Sequence, residues 1–286
     1  MRAAWIVKRT SAALVGRTCS VRRPDTHKGD YGKILLICGA EGYTGAPYLA
    51  AQAALRTGAG LIFTAVPRSV YPIVAAKLHE PMGLPVPDRD GNMSLQALPK
   101  LLEHLQTADA CLLGPGLGRS EALDMLVCEL VRRCRCPLVL DADGINAISA
   151  HKDVLREAAC PIVLTPHEGE FRRLTSAKEV DRISGAAALA KELGAIVLRK
   201  GHETVITDGD VSYVNRTGNA GMATGGSGDV LAGILTALLG QSAEPLEAAA
   251  SAAWLHGTAG DLAAAELGQY ALAPTDLIGQ LSRLLP

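Results

Sequence analysis

The stretch GNAGMATGGSGDVLAG at residues 218–233 decides the fold of this chain and the position of its site. Its glycines predict a tight turn, and the apolar residues that follow at helical spacing predict a buried helix beginning close to Asp229. The start of a helix offers unsatisfied backbone N–H groups and the positive end of the helix dipole. The stretch therefore predicts a binding site for phosphate or another anion.

Asp229 falls in the first turn of the predicted helix, and its carboxylate has two interpretations. Next to a bound phosphate, a second negative charge is explained by a task such as proton abstraction. Alternatively, Asp229 only caps the helix, as Asp commonly does. The spacing favours the phosphate site, because Gly225, Gly226 and Gly228 leave the backbone open to close approach.

The bulk composition predicts a cytoplasmic protein without a nucleic-acid or membrane partner. The formal net charge of -1 gives no attraction to nucleic acid or a membrane surface, and no apolar run reaches the roughly 20 residues that span a bilayer. The odd count of 7 cysteines, without a secretory signal, predicts a reducing compartment. Residues 1–23 have the basic composition of a transit peptide, but their apolar residues could as well form an N-terminal helix. We favour a helical extension over residues 1–22 that packs on the domain, because Arg23-Pro24 runs directly into the domain.

Short apolar, β-branched runs alternate with longer helical patterns along the chain. This alternation predicts an α/β fold in a single domain over residues 1–286, with a mainly parallel central sheet and helices on both faces. Residues 205–207 and 211–214 predict an antiparallel hairpin near one edge. The other predicted strands are 33–38, 61–66, 111–113, 138–140, 162–164 and 196–198. The predicted helices are 46–56, 122–133, 182–193, 230–239, 246–267 and 275–284.

Glycine-rich or polar loops follow four of these strands, at residues 39–45, 114–118, 165–170 and 200–204. In an open parallel sheet, ligands bind beyond the carboxyl ends of the strands. We therefore expect the four loops to face one crevice. Neither glycine loop has the spacing of the Rossmann fingerprint, and the chain has no Walker A sequence.

Polar residues in these loops have both a functional and a structural interpretation. His167 contacts a polar substrate with Glu170 near a metal or its waters, or the two residues cap a helix after a strand. Asp143 and Asn146 contact substrate or the waters of Mg²⁺, or they belong to a turn. Lys200 meets a nucleotide phosphate as a point charge, or it is a solvated loop residue.

Two other groups that often carry chemistry are predicted to be structural. His256 falls inside a predicted helix and is expected to be a packed residue. Cys134 and Cys136 lack a second ligand pair at zinc-finger spacing, so no metal site is predicted there.

Seven motifs occur in order along the chain: HKGDYG at 27–32, GYTGA at 42–46, RTGAG at 56–60, GPGLG at 114–118, LDAD at 140–143, TPH at 165–167 and GMATGGSGD at 221–229. Together they resemble a known family, the ADP-dependent NAD(P)H-hydrate dehydratases, which are relatives of the ribokinase-like sugar and vitamin kinases. The last motif alone would indicate only the kinase superfamily. The resemblance covers the chain from about residue 23 to its end and implies a three-layer ribokinase-like fold.

The resemblance implies a lyase that repairs nicotinamide nucleotides. The family dehydrates the S epimer of NADHX or NADPHX to NADH or NADPH, and ADP is converted to AMP and phosphate. It implies Mg²⁺ with the nucleotide, and a homotetramer. Some relatives carry an N-terminal epimerase domain, and we expect none in this chain.

By position, the resemblance assigns substrate and nucleotide to separate groups of residues. We expect Asp229 to be the catalytic base that takes the hydroxyl proton, since positioning and charge stabilisation are most of what phosphoryl transfer requires. The N–H groups of Gly226, Ser227 and Gly228 would form an anion hole around the transferring phosphoryl group. The residues assigned to the hydrate are Ala46, Gly116, His167 and Asp229. The residues assigned to the adenine nucleotide are Lys200, Gly201, His202, Glu203, Thr204 and Gly228.

Two other functions remain open at this point. A vitamin-precursor or sugar kinase of the same fold would use the same turn and Asp229, although Thr165-Pro166-His167 stands where many such kinases have Asn. A non-catalytic nucleotide sensor would have no need of a base.

The chain departs from the family pattern at three positions. Ala220 stands where many relatives have Pro, and Glu168 and Glu203 stand where relatives have small or apolar residues. These changes flank the site without removing Asp229 or His167, and they leave the choice between ADP and ATP open.

Overall fold

The computed structural model describes residues 6–19, 21–175 and 181–286, which form a central sheet between two layers of helices. The strands are β1 (Ile6–Arg9), β2 (Lys33–Ile37), β3 (Leu61–Pro67), β4 (Met82–Val86), β5 (Asp88–Arg89), β6 (Asn92–Met93), β7 (Ala110–Leu113), β8 (Leu138–Leu140), β9 (Ile162–Leu164), β10 (Ile196–Arg199), β11 (Thr204–Thr207) and β12 (Val211–Asn215). The helices are α1 (Ala12–Thr18), α2 (Gly45–Arg56), α3 (Tyr71–Ala75), α4 (Leu98–Leu105), α5 (Glu121–Arg133), α6 (Asp143–Ile148), α7 (Val154–Glu157), α8 (Glu168–Leu174), α9 (Arg182–Leu193), α10 (Ser227–Gly240), α11 (Pro245–Leu267) and α12 (Pro274–Gln280). None of these described helices has the length and hydropathy needed to cross a lipid bilayer.

The main sheet of the described chain has 10 strands in the order β1-β12-β11-β10-β9-β8-β7-β2-β3-β4. Neighbouring strands are parallel except around β11, which runs antiparallel to both β10 and β12. The predicted hairpin near one edge is therefore confirmed as β11 and β12. Strands β5 and β6 form a separate antiparallel pair.

The continuous apolar run of β2 shows why the sheet is covered on both faces. Ile34 and Leu36 pack into a core with α1, α2, α3, α10, α11 and α12, whereas Leu35 and Ile37 pack into a second core with α4 to α9. Successive side chains of a strand point to opposite faces, so an apolar run without polar residues needs a layer of helices on each face of the sheet. The predicted layered α/β architecture is confirmed.

The sequence prediction located the central strands accurately and missed the outer ones. Every predicted strand is present, with ends within one residue of those predicted. Strand β4 contains Gly83 and Pro85, which weaken a strand signal and are tolerated because β4 is at an edge of the sheet. The predicted N-terminal helix is only partly correct: α1 is helical and buries Leu14 and Val15, but residues 6–9 form strand β1. The first five residues of that predicted helix lie outside the described ranges.

Helices α2 and α10 lie on the same face of the sheet and pack backbone to backbone. A Cβ atom on Gly233 of α10 would overlap the carbonyl oxygen of Ala50 on α2. Only glycine fits at this contact, and the contact fixes how closely the two helices approach.

We expect Gly233→Ala to lower the free energy of unfolding by about 1–3 kcal/mol, because the added methyl group meets backbone that cannot rotate away. The matched control is Gly16→Ala in α1, where a Cβ has no atom within 4 Å and helix propensity improves by up to about 1 kcal/mol. Urea unfolding measures both changes. A Gly233→Ala protein as stable as the wild type would contradict the close packing.

Candidate active site

The turn before α10 has the conformation that its glycines predicted. Gly226 adopts a left-handed backbone with φ 96°, and a Cβ there would lie 2.5 Å from Cδ1 of Leu49. Helix α10 begins at the next residue, Ser227, and contains Asp229 in its first turn. The predicted glycine turn and helix start are thus confirmed.

Two of the three predicted anion-hole donors are available in this turn. Within the described residues, the backbone N–H groups of Gly226 and Gly228 have no acceptor. The N–H of Ser227 instead donates to the carbonyl oxygen of Thr224 at 3.4 Å. Donors left open at a helix start favour an anion, so the geometry suits a phosphoryl group.

Asp229 has the electrostatics of a base. Its carboxylate has no hydrogen-bond or ion-pair partner in the described part of the chain, and the N-cap of α10 is Gly226, without a capping side chain. Burial, together with the charge of Asp141, raises the pKa of Asp229 to about 7, although Lys200 lowers it. The alternative that Asp229 caps the helix is therefore wrong, and its carboxylate is poised to exchange a proton near neutral pH.

An ion pair between Asp141 and Lys200 faces the start of α10. Oδ1 of Asp141 accepts hydrogen bonds from Nζ of Lys200 and Oγ1 of Thr165, each at 2.7 Å. A Cβ on Gly228 would lie 3.5 Å from Nζ of Lys200 and 3.9 Å from Oδ2 of Asp141. Lys200 is therefore not the solvated loop residue of the alternative interpretation. Burial lowers its pKa, but Asp141 and Glu170 outweigh burial and raise the pKa above its usual value.

The sequence analysis missed the roles of Asp141 and Thr165, although a signal was present. Asp141, Thr165 and Lys200 are each the first residue after β8, β9 and β10, which are neighbours in the sheet. Residues at the same position after adjacent parallel strands converge at one edge. Comparing strand ends position by position would have found the cluster.

His167 and Glu170 form the predicted helix cap. Nδ1 of His167 accepts from the N–H groups of Gly169 at 2.9 Å and Glu170 at 3.2 Å, and Oε2 of Glu170 accepts from the N–H of His167 at 2.8 Å. Nε2 of His167 must then carry the proton, and it lies 3.3 Å from Oε1 of Glu170. The His167 side chain is still 55% exposed, so the capping role leaves its predicted substrate contact open.

Asp143 and Asn146 both lie in helix α6 rather than in the turn of the alternative interpretation, and Asp143 ties that helix to the loop after β7. Oδ2 of Asp143 accepts from the N–H of Gly118 at 3.0 Å, and its Oδ1 accepts from Nδ2 of Asn146 at 3.2 Å. Contacts of these residues with substrate or Mg²⁺ stay a prediction.

The residues predicted to hold the hydrate come from adjacent loops. A Cβ on Gly116 would lie 3.2 Å from Cβ of Ala46, and the N–H of Gly39 donates to the carbonyl oxygen of Pro115 at 2.8 Å. The loops after β2 and β7 therefore touch, as expected for one crevice.

Hydrogen bonding within the predicted nucleotide loop at 200–204, and an ion pair with Arg216, hold the loop in place. Oγ1 of Thr204 donates to the carbonyl oxygen of Gly201 at 2.9 Å, His202 is exposed, and Glu203 has a positive φ of 52°. Oε1 of Glu203 pairs with Nε of Arg216 at 2.9 Å. Nucleotide binding by this loop stays a prediction.

Glu168, one of the departures from the family pattern, forms an ion-pair cluster beside the same loop. Its Oε2 lies 2.8 Å from Nη2 of the buried Arg199 and 3.3 Å from Nη1 of Arg182. Hydrogen bonding by Arg199 lowers the pKa of Glu168. The acidic side chain is thus neutralised by the protein.

His256 is packed on α11, as predicted, but it also contacts the site. Its Nε2 lies 2.9 Å from the carbonyl oxygen of Ser227 and 3.1 Å from Oγ of the same residue. Burial lowers the pKa of His256 to about 4.

We expect Lys200→Met to lower the free energy of unfolding by about 3–5 kcal/mol, because the buried carboxylate of Asp141 loses its charged partner. The matched control, Lys191→Met, breaks an exposed pair with Asp210 and should change stability by about 0–1 kcal/mol. Urea unfolding compares the two variants. Equal losses would contradict a buried ion pair.

Asp229→Asn should change how stability depends on pH. The folded carboxyl has a pKa of about 7, whereas an unfolded Asp titrates near pH 4. Between these values the folded state retains a proton that the unfolded state has lost, so wild-type stability falls relative to the variant as pH rises, and the difference is constant above about pH 7. Urea unfolding at about pH 5 and about pH 8 measures the difference. The same difference at both pH values would contradict the raised pKa.

Comparison with known proteins agrees with this geometry. The sequence model of a family described as NAD(P)H-hydrate dehydratase matches residues 34–283. A bifunctional NAD(P)H-hydrate repair enzyme from Moorella thermoacetica is 48% identical over 271 residues, which cover 92% of this chain and 51% of the relative. The chain thus spans about half the length of the curated relatives that it matches.

Solved structures give the same result. An ADP/ATP-dependent NAD(P)H-hydrate dehydratase from Bacillus subtilis, co-crystallised with ATP and Mg²⁺, has a TM-score of 0.81 and 29% identity, covering 96% of both chains. A hydroxyethylthiazole kinase from Pyrococcus horikoshii, with a TM-score of 0.58 and 19% identity over 83% of this chain and 94% of its own, shares the fold alone. The predicted ribokinase-like fold is confirmed, and this chain belongs to the NAD(P)H-hydrate dehydratase family.

Proposed function

We propose that this chain dehydrates the S epimer of NADHX or NADPHX with ADP as phosphoryl donor, forming NADH or NADPH, AMP and phosphate. One observation carries the proposal: an unpaired carboxylate with a pKa of about 7, Asp229, lies in the same helical turn as the open N–H group of Gly228. A kinase of this fold would use the same two groups, so the family match favours dehydration.

The reaction proceeds in two steps. Asp229 removes the proton of the hydrate hydroxyl, whose oxygen attacks the terminal phosphorus of ADP while the bond to AMP breaks. The ring nitrogen lone pair then expels phosphate, and loss of a proton from the adjacent ring carbon restores the dihydropyridine. The open N–H groups of Gly226 and Gly228 stabilise the charge on the transferring group.

In this proposal the two ligands occupy separate parts of the crevice. Ala46, Gly116 and His167 hold the hydrate on the side of the loops after β2, β7 and β9. The loop at 200–204 and Gly228 hold the adenine nucleotide, where Lys200 presents a cation already oriented by Asp141.

Mg²⁺ binds with the nucleotide. Among the described residues no group of three or more His, Cys, Asp or Glu side chains could hold a metal ion, so phosphate oxygens and water would supply most of its ligands, with Glu170 near those waters. When bound, Mg²⁺ neutralises phosphate charge. The cap that Glu170 forms with His167 fixes the start of α8 directly after β9.

A cytoplasmic homotetramer is part of the proposal. The 7 cysteines are all free thiols, which suits a reducing compartment. Light scattering coupled to gel filtration tests the tetramer.

The first experiment follows absorbance of the reduced nicotinamide with purified protein, NADHX and Mg²⁺, with ADP and then with ATP. We expect recovery of NADH matched by AMP. Accumulation of a stable phosphorylated product would instead indicate a kinase.

Asp229→Asn should abolish turnover while leaving ADP binding and the fold intact, because only the proton acceptor is lost. Wild-type turnover should rise with pH through about 7. The matched control, Asp124→Asn, removes another first-turn carboxylate whose pKa burial raises, but it lies on α5 and has no role in the proposed reaction. Near-normal activity of Asp229→Asn would overturn the assignment.

A further inference from the structure

The side chain of Ser227 has a donor that the protein does not use. The residue is 7% exposed, and in the described part of the chain its Oγ has one hydrogen-bond neighbour, Nε2 of His256 at 3.1 Å. The same nitrogen lies 2.9 Å from the carbonyl oxygen of Ser227.

These two contacts fix the position of the protons. A carbonyl oxygen only accepts hydrogen bonds, so Nε2 of His256 must be the donor. A single Nε2–H then faces both oxygens of Ser227, and the Ser227 hydroxyl cannot donate to that nitrogen. Its proton consequently has no acceptor among the described residues, which is costly for a buried hydroxyl.

The location of this unused proton is informative. Ser227 stands between Gly226 and Gly228, whose N–H groups are open, whereas its own N–H is engaged by Thr224. At Ser227, therefore, the side-chain hydroxyl rather than the backbone N–H is the donor that remains available for an anion.

We propose that the Ser227 hydroxyl donates a hydrogen bond to the transferring phosphoryl group, and that His256 is a positioning residue that orients this hydroxyl. The proposal rests on the proposed function for the identity of that group. Because Nε2 of His256 donates to Ser227, the hydroxyl proton stays available for an anion bound at the turn. Specificity for an anion at this turn thus depends on a side chain as well as on open backbone groups.

The test compares steady-state kinetics of Ser227→Ala and Ser227→Thr with the wild type. A hydrogen bond to a charged group that forms in the transition state predicts that Ser227→Ala lowers kcat about 10- to 100-fold, and that the hydroxyl of Ser227→Thr restores most of it. The matched control is Ser251→Ala on α11, a buried hydroxyl bonded to Thr18 at 3.0 Å, which should leave kcat unchanged. A change in KM alone for Ser227→Ala would overturn the proposal.

A double-mutant cycle separates positioning from general support of the fold. His256→Leu should lower kcat about as much as Ser227→Ala, and the double variant should lose no more than either alone, since both act through one hydroxyl. His256→Gln, which keeps an N–H donor, should recover part of the loss. Additive losses would mean that His256 has only a structural role.

Calorimetry with inorganic phosphate gives a readout that does not require turnover. Ser227→Ala should weaken phosphate binding about 10-fold, and Ser251→Ala should not. If the wild type recovers no NADH but Ser227→Ala still weakens phosphate binding, the anion contact stands and the proposed function fails. Wild-type kcat and phosphate affinity in Ser227→Ala would overturn the hydroxyl contact and leave the proposed function standing.

Discussion

The left-handed backbone at Gly226 is the constraint on which the site depends. It turns the chain so that α10 starts at the carboxyl edge of the sheet, where the N–H groups of Gly226 and Gly228 are open and Asp229 lies in the first helical turn. Burial of that carboxylate, next to the negative charge of Asp141, keeps its pKa near neutrality. One backbone conformation therefore supplies both the anion site and the base, and the surrounding loops supply the walls of the crevice.

The charged groups that balance one another in the crevice come from the ends of different strands. Asp141, Thr165 and Lys200 come from three neighbouring strand ends and form one hydrogen-bonded group opposite Gly228. Burial is the main cause of the raised pKa of Asp229; the charge of Asp141 raises that pKa further and the charge of Lys200 opposes the increase. Lys200 is consequently part of the electrostatic frame of the site even before a nucleotide binds.

The sequence predicted the central sheet and the start of α10 because both follow from local patterns: apolar runs buried on two faces, and glycines before a helical repeat. It did not predict β1 and β4, since β1 is exposed along its whole length and β4 is buried only in part, so neither edge strand has a strong apolar pattern. The partners of Lys200 and His256 also escaped prediction, because these contacts join residues 59 and 29 positions apart in the chain. The solvated-loop interpretation of Lys200 was excluded only by its contact with Asp141, a geometry that residue types do not encode.

The contact between Gly233 and Ala50 lies one helical turn below the site on both helices, since Asp229 precedes Gly233 and Ala46 precedes Ala50 by four residues. The separation of the proposed base from the proposed hydrate-binding residue is therefore set by backbone touching backbone. No rotamer change can widen or narrow that gap. Movements that admit or release ligands must then occur in the loops at the rim of the crevice. The two packed helices at its floor keep a fixed distance between the proton acceptor and the substrate.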